Sequence, residues 1–222
     1  MLLLVPAAVV GVSLAGCTSS SSHSTSAALS AAKGDSFSAA QLRAALLTRV
    51  NGVGAASPAA SGGYAAMSAL AAGQSASGAP KACAGAVQTG LDSAALAGAT
   101  AAAVSFKVGG NDVSELVAAA PGTAAASALA GRLPAACARF KETVDGTSVS
   151  YSVTESSLTG IGKQAKVMNV SPAAGGSGDR WSLVYRGAGF VGAVTVAGPN
   201  ASQTAVRELG QQAYTYAVKS LS

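Results

Sequence analysis

Apolar side chains recur at every second position in four successive short segments of the C-terminal half. The segments begin at Val149, Ala165, Trp181 and Val191. Because successive side chains of a β-strand point to opposite faces, this period of two predicts four strands. The stretches between them are short and contain Gly or Pro, at residues 160–162, 172–179 and 187–189. Connections of that length join antiparallel neighbours, so we expect an antiparallel sheet.

Helical patterns lie before and after these strands. Helices are predicted over residues 38–50, 64–72, 81–89, 123–143 and 202–221, and a further strand over residues 101–108. The first helix begins with a capping box, Ser38 followed by Gln41, and Pro134 is expected to kink the fourth. Asp112 and Glu115 are interpreted as acidic residues at a helix start. The fold class is therefore α+β, with an antiparallel sheet of about five strands packed against N-terminal, middle and C-terminal helices.

The N-terminus carries the strongest functional signal. An apolar run from Leu2 to Leu14 ends in Leu14-Ala15-Gly16-Cys17, which is a lipobox. Small residues before Cys17 suit a signal peptidase, and the cysteine thiol is the side chain that can become a thioether to diacylglycerol. The run has the length of a signal peptide and is too short to span a bilayer. We expect residues 1–16 to be removed and Cys17 to be acylated.

Acylated Cys17 would place the protein on the outer face of the cytoplasmic membrane, with membrane lipid as its first partner. Two acyl chains suffice for stable anchoring, whereas one chain binds reversibly. Residues 17–36 are rich in serine and lack an apolar period, so they are expected to form a flexible stalk. The remaining residues, 37–222, are expected to form one extracytoplasmic domain.

Cys83 and Cys137 are the other two cysteines of the chain. Once Cys17 carries lipid, they form an even pair in a compartment that permits disulfides, and we expect them to be bonded to each other. Two free buried thiols are the alternative. A metal or redox site is a weaker possibility, because two thiolates without a nearby histidine make half of a zinc site.

Composition excludes several classes of protein. Alanine and glycine make up more than a third of the chain, which explains the mean hydropathy of +0.41 without any membrane span. A polytopic membrane protein is excluded because no apolar run reaches about 18 residues. The 14 Lys and Arg residues are scattered along the chain and only 10% of all residues are charged. A disordered polyelectrolyte and a nucleic-acid binder are therefore disfavoured.

Catalytic and cofactor motifs are also weak. His23, the single histidine, lies on the predicted stalk, so no Ser/His/Asp or Cys/His arrangement can form within the domain. The segment from Gly187 to Gly192 matches GxGxxG, but a strand pattern follows it rather than a helix, so a hairpin turn is predicted. We expect no catalytic residues, no metal and no cofactor.

The order of elements and the segment Pro134-Ala135-Ala136-Cys137 carry a family resemblance. From about residue 38 to 221 the chain resembles the extracellular sensor domain family of the mycobacterial serine/threonine kinase PknH, which also occurs as stand-alone actinobacterial lipoproteins. That family commonly has two disulfides, whereas this chain can form one. The resemblance implies an antiparallel sheet with helices framing a cleft for an unidentified extracellular ligand, and it implies no catalytic residues.

Three aromatic residues are the candidate ligand-binding side chains. Tyr151, Trp181 and Tyr185 are spaced to share one face of the sheet. They either fill the core that alanine cannot fill or line a cleft, since Tyr and Trp combine apolar area with a polar group. We expect a non-catalytic domain that binds an unidentified small ligand or acts as a sensor. The alternative is an envelope adaptor or structural lipoprotein that binds another protein.

Overall fold

The computed structural model describes residues 37–72, 83, 87–144, 147–173 and 178–222. All of them belong to one compact unit, Lys33–Ser222. The predicted signal peptide, Cys17 and the stalk lie outside the described residues. Within those ranges, no helix has both the length and the hydropathy that a membrane span requires.

The chain alternates short helices with long strands. Its elements in order are α1 Ala39–Ala44, β1 Arg49–Val50, β2 Val53–Gly54, β3 Ala60–Gly63, α2 Tyr64–Ala72, β4 Thr100–Val108, β5 Asn111–Ala119, α3 Gly122–Ala130, a 3-10 turn Ala135–Cys137, β6 Arg139–Val144, β7 Thr147–Leu158, β8 Gln164–Pro172, β9 Arg180–Arg186, β10 Phe190–Ala197 and α4 Gln203–Leu221. Cys83 and residues 87–89, from the predicted third helix, are also helical.

Eight strands form one sheet in the order β3-β4-β5-β10-β9-β8-β7-β6, and every neighbouring pair is antiparallel. β1 and β2 form a separate hairpin. The fold class α+β is confirmed, but the expected number of about five strands is wrong. β3, β5 and β6 were missed. β5 is buried on both faces along most of its length, so its sequence shows no alternation.

Helices cover both faces of the sheet. The first face contacts α1 and α4, through residues such as Leu42, Val206 and Leu209. The opposite face, the second face, contacts α2 and α3, through residues such as Met67 and Leu129. Helices from both chain ends thus pack on the first face, and the middle helices pack on the second.

Two predicted helices are shorter than expected. α1 has the predicted capping box, in which the Gln41 amide donates to Ser38 Oγ at 3.3 Å, but it ends at Ala44 rather than at Val50. The predicted helix 123–143 ends at Ala130, and β6 follows the 3-10 turn. Pro134 lies at the start of that turn, and because proline lacks an N–H it ends the helical pattern instead of kinking it. α4 agrees with its prediction, with Ser202 as its N-cap.

Candidate functional site

The three candidate aromatic residues do not share one face of the sheet. Trp181 and Tyr185 lie four residues apart on β9 and pack with the first-face core. Tyr151 pairs with Pro172 of β8, and the register places both on the second face. The prediction that they share a face is therefore wrong, because it depended on strand register that local spacing does not determine.

Tyr185 is a core residue. Its side chain is fully buried, and its ring meets those of Tyr214 and Phe190 edge to face, with centroids 5.5 and 6.4 Å apart. Its cross-strand partner is Gly192, where a Cβ would lie 2.2 Å from Tyr185 Cζ. The third glycine of the GxGxxG match therefore makes room for an aromatic ring, and the β9–β10 hairpin is as predicted.

Cys83 and Cys137 are joined by a disulfide, with their Cα atoms 5.5 Å apart. This is the pairing that the cysteine count predicted. Both residues are buried on the second face, in a cluster with Phe140, Val153 and Val170. Tyr151 packs at the edge of this cluster, where its ring stacks on Phe140 with a centroid distance of 5.2 Å. The bond connects the segment before β4 to the 3-10 turn.

The second face carries two rows of polar side chains at one end of its strands. A charged row crosses four strands in register, as Lys107, Asp112, Ala197 and Arg180. A hydroxyl row lies beside it, two residues away on each strand and nearer the middle of the sheet, as Ser105, Ser114, Thr195 and Ser182. The next row is apolar, as Ala103, Leu116, Ala193 and Val184.

A pocket of about 380 Å³ lies over the charged and hydroxyl rows. We call it the polar pocket. Its floor includes Arg180, Ala197, Asp112 and Lys107 of the charged row, and Ser105, Ser114 and Thr195 of the hydroxyl row. Leu70, Ala71 and Ala72, the last turn of α2, line its wall. The volume lies within the range of small-molecule sites, about 300–1,000 Å³.

Arg180 is the buried charge of the polar pocket, and only 7% of it is exposed. Its Nη2 donates to the carbonyl oxygen of Ala72 at 2.9 Å, which places a cation at the negative end of α2. Burial lowers the pKa of Arg180, and the negative charge of Glu142 opposes that shift. Because arginine stays charged in proteins, the second face buries a cation that contacts a helix end, with the negative charge of Glu142 nearby.

Lys107, Thr195 and Ser105 of the pocket also have partners. Lys107 Nζ forms an ion pair with Asp112 on the neighbouring strand. Thr195 Oγ1 lies 2.9 Å from Ser182 Oγ, and Ser105 Oγ lies 3.1 Å from Ser57 Oγ. A hydroxyl both donates and accepts hydrogen bonds, so each retains capacity toward the pocket.

The prediction that Glu115 lies at a helix start is wrong. It lies in the middle of β5, on the first face, with 1% of it exposed. Its Oε2 accepts the Leu47 amide at 2.8 Å, after α1 has ended, while Oε1 has no hydrogen-bond partner in the described part of the chain. Burial raises the pKa of Glu115 to about 8, and the Leu47 hydrogen bond opposes that shift. The carboxyl is therefore neutral at pH 7.

A second cavity, of about 630 Å³, is more open to solvent. It lies between the turn at residues 159–161 and the start of α4, with Arg207, Glu208 and Gln211 along one side. These are exposed helix residues, and no buried charge lines the cavity. Among the described residues, no group of three or more His, Cys, Asp and Glu side chains is placed to hold a metal ion.

The polar pocket was not predicted from the sequence. Its floor residues come from β4, β5, β9 and β10, and only the pairing of these strands places them in rows. A local signal does exist, because Ser105 and Lys107 alternate with Phe106, and Arg180 and Ser182 flank Trp181. These polar residues occupy the face opposite to the aromatic ones.

Comparison with known proteins finds similarity to solved structures but none at the level of sequence families. No protein-family model matches the sequence, and no curated protein matches it. The crystal structure of the extracellular domain of PknH from Mycobacterium tuberculosis is similar with a TM-score of 0.49 and 11% sequence identity, over 84% of this chain and 99% of that chain. This similarity is below the level at which a shared function can be argued.

Proposed function

We propose that this chain is a membrane-anchored extracytoplasmic lipoprotein whose non-catalytic domain binds a small ligand in the polar pocket. The observation that carries this proposal is the placement of a buried arginine and three hydroxyl side chains on the floor of one concave site. Burying polar groups costs free energy unless they are hydrogen-bonded, so a sheet that assembles two polar rows under a pocket favours a binding role. The anchor is proposed from the lipobox at Cys17.

The second face is a better location for the ligand than the aromatic residues of the first face. Tyr185 is enclosed by other rings, and Trp181 packs on the first-face core. Leu70, which is 44% exposed, offers apolar contact at the pocket wall. A ligand in the polar pocket would therefore meet both polar and apolar groups.

The polar groups of the pocket support binding without catalysis. The ammonium group of Lys107 is engaged in an ion pair with Asp112. Thr195 is hydrogen-bonded to Ser182 rather than to a base. Arg180 cannot accept a proton. These contacts suit recognition of a ligand more than activation of a nucleophile.

The anchor can be tested by Cys17→Ser in cells supplied with radiolabelled palmitate. We expect label in the wild-type protein, and we expect the variant to be unlabelled and released or retained as a precursor. Equal labelling of both proteins would contradict the proposal.

The pocket can be tested by native mass spectrometry of the full chain purified from its own cells. We expect a retained small molecule, and we expect Ala197→Leu, which fills the pocket floor between Arg180 and Asp112, to abolish it. Thr154→Leu, which adds the same side chain at an exposed position of β7, is the control and should retain the molecule. Retention of a protein instead would favour the envelope adaptor.

A further inference from the structure

Each charge that lines the polar pocket already has an opposite partner. Lys107 is paired with Asp112. Arg180 contacts the carbonyl end of α2 through Ala72, and Glu142 adds a negative charge nearby. An anionic ligand would have to compete with these groups for Arg180, and a cationic ligand would have to compete with Lys107 for Asp112. The pocket therefore favours a ligand without net charge.

The same groups offer many hydrogen bonds. Ser105, Ser114 and Thr195 can each donate and accept, Asp112 accepts, and Lys107 and Arg180 donate. A molecule with several hydroxyl groups offers the same mixture in return. It can engage an ion pair from both sides, with one hydroxyl donating to the carboxylate and a neighbouring one accepting from the ammonium group.

The position of Ala197 leaves space for such a molecule. It is the small residue of the charged row, between Arg180 and Asp112 on its two neighbouring strands. Strands that are two apart in a sheet are separated by about 9.5 Å, so the two charged side chains flank a gap above a methyl group. The hydroxyls of Thr195 and Ser114 border that gap on one side.

Building on the proposed function, we propose that the ligand of the polar pocket is a neutral polyhydroxylated molecule, of which a sugar ring is the simplest form. Arg180 and Lys107 donate to its oxygens, Asp112 accepts from its hydroxyls, and the hydroxyl row binds its edge. Leu70 and Ala71 of α2 contact its less polar face.

Three sugars of the same ring size test whether the pocket recognises hydroxyl groups or charge. Glucose is neutral, glucuronate adds a carboxylate, and protonated glucosamine adds an ammonium group. Binding is measured by saturation-transfer NMR on the full chain in a detergent without a sugar headgroup. We expect glucose, as the simplest form of the ligand, to bind more weakly than the retained molecule, with a Kd in the millimolar range, and the two charged sugars to bind several-fold more weakly than glucose. Tighter binding of either charged sugar, or no saturation transfer to glucose, would overturn the proposal.

Variants locate the binding site. Thr195→Val removes one hydroxyl while keeping the shape of the side chain, and we expect it to weaken glucose binding about 3- to 10-fold. Thr154→Val is the same substitution at an exposed first-face position of β7 and should leave binding unchanged. Because loss of Thr195 also deprives Ser182 of its partner, Ser114→Ala is the second variant, and it should weaken binding while the melting temperature stays close to that of wild type. Unchanged binding in both pocket variants would overturn the proposal.

The failure of this proposal can be told from the failure of the proposed function. If the native protein retains a small molecule that Ala197→Leu loses, but glucose does not bind, the pocket remains a binding site and the neutral polyhydroxylated class is wrong. If the native protein retains no small molecule and no sugar binds, both proposals are wrong.

Discussion

The two faces of the sheet are packed in different ways. The first face is filled by large side chains from the sheet, from α1 and the residues after it, and from α4, including Phe106, Phe190, Tyr185, Leu42 and Leu46. Half of the buried residues in the cluster under α2 and α3 on the second face are alanines, including Ala101, Ala103, Ala118, Ala125 and Ala128. Large side chains bury more apolar area per residue. The comparison indicates that the first face supplies most of the stability, while the second face has room for a disulfide and a polar pocket.

Polar groups follow the same division. The first face buries Glu115, whose Oε1 lacks a partner in the described residues. On the second face, two rows of polar side chains lie together at one end of the strands, where a pocket opens above them. The first face thus buries an isolated carboxyl, whereas the second face holds a cluster of polar groups under a pocket. This arrangement is expected if one face holds the fold and the other binds a ligand.

Phe106→Ala should have the largest effect. The ring is almost fully buried on the first face, and its removal leaves a cavity that the strands of the sheet cannot fill. We expect a loss of about 3–5 kcal/mol in the free energy of unfolding, measured by urea denaturation. A loss below about 1 kcal/mol would contradict the view that the first face dominates stability.

Cys83→Ala and Cys137→Ala should each cost about 2–5 kcal/mol, because the bond closes a loop between residues 54 apart. The double variant should cost little more than either single variant, since both remove one interaction. The free thiols of the denatured, unreduced chain are then counted, leaving Cys17 out of the count. Two free thiols per chain would show that the bond does not form.

Glu115 should make stability depend on pH. Its pKa is about 8 in the folded protein against an ordinary value of 4.5, so the unfolded chain holds fewer protons between these values. The stabilisation is complete below pH 4.5 and is lost as pH rises toward 8, by about 1.4 kcal/mol per pH unit. From about pH 5.5 to pH 7 we expect a loss of about 2 kcal/mol, which Glu115→Gln should largely remove. The same slope in both proteins would contradict the placement of this carboxyl.

Trp181→Phe should have the smallest effect. The side chain lies on the first face and is partly exposed, so we expect a cost of about 1 kcal/mol in stability and no change in ligand retention. Trp181 lies on β9 and Ala197 on the neighbouring β10, on opposite faces of the sheet. Ligand retention by Trp181→Phe and by Ala197→Leu, measured by native mass spectrometry, therefore compares the two faces. Loss of the ligand in Trp181→Phe would move the binding site to the first face.

The parts of the fold that the sequence predicts are those with a local signal. β7 to β9 carry apolar residues at alternate positions, β10 is an apolar run that follows a glycine turn, and Ser38 and Ser202 cap their helices. The helix predicted over residues 123–143 is longer than the observed α3. Its pattern extends too far because Leu129, Leu133, Cys137 and Phe140 recur at helical spacing, although Pro134 interrupts the helix. Asp112 and Glu115 are three residues apart, which matches a helix turn, yet they lie on opposite faces of β5.

The candidate site was harder to predict because strand pairing creates it. Arg180 and Lys107 are far apart in sequence, and β10 must lie between β5 and β9 before their side chains belong to one row. Tyr151 and Trp181 were assigned to one face for the same reason, since a shift of one residue in register reverses the face. The family resemblance, the lipid anchor and the absence of catalysis remain predictions.

A crystal structure of the protein purified from its own cells tests the division between the two faces most directly. We predict electron density for a small molecule on the second face, above Ala197 and between Arg180 and Asp112, with oxygen atoms within hydrogen-bond distance of Thr195 or Ser114. A ligand bound against Trp181 on the first face, or a polar pocket holding only ordered water, would contradict the assignment of binding to the second face.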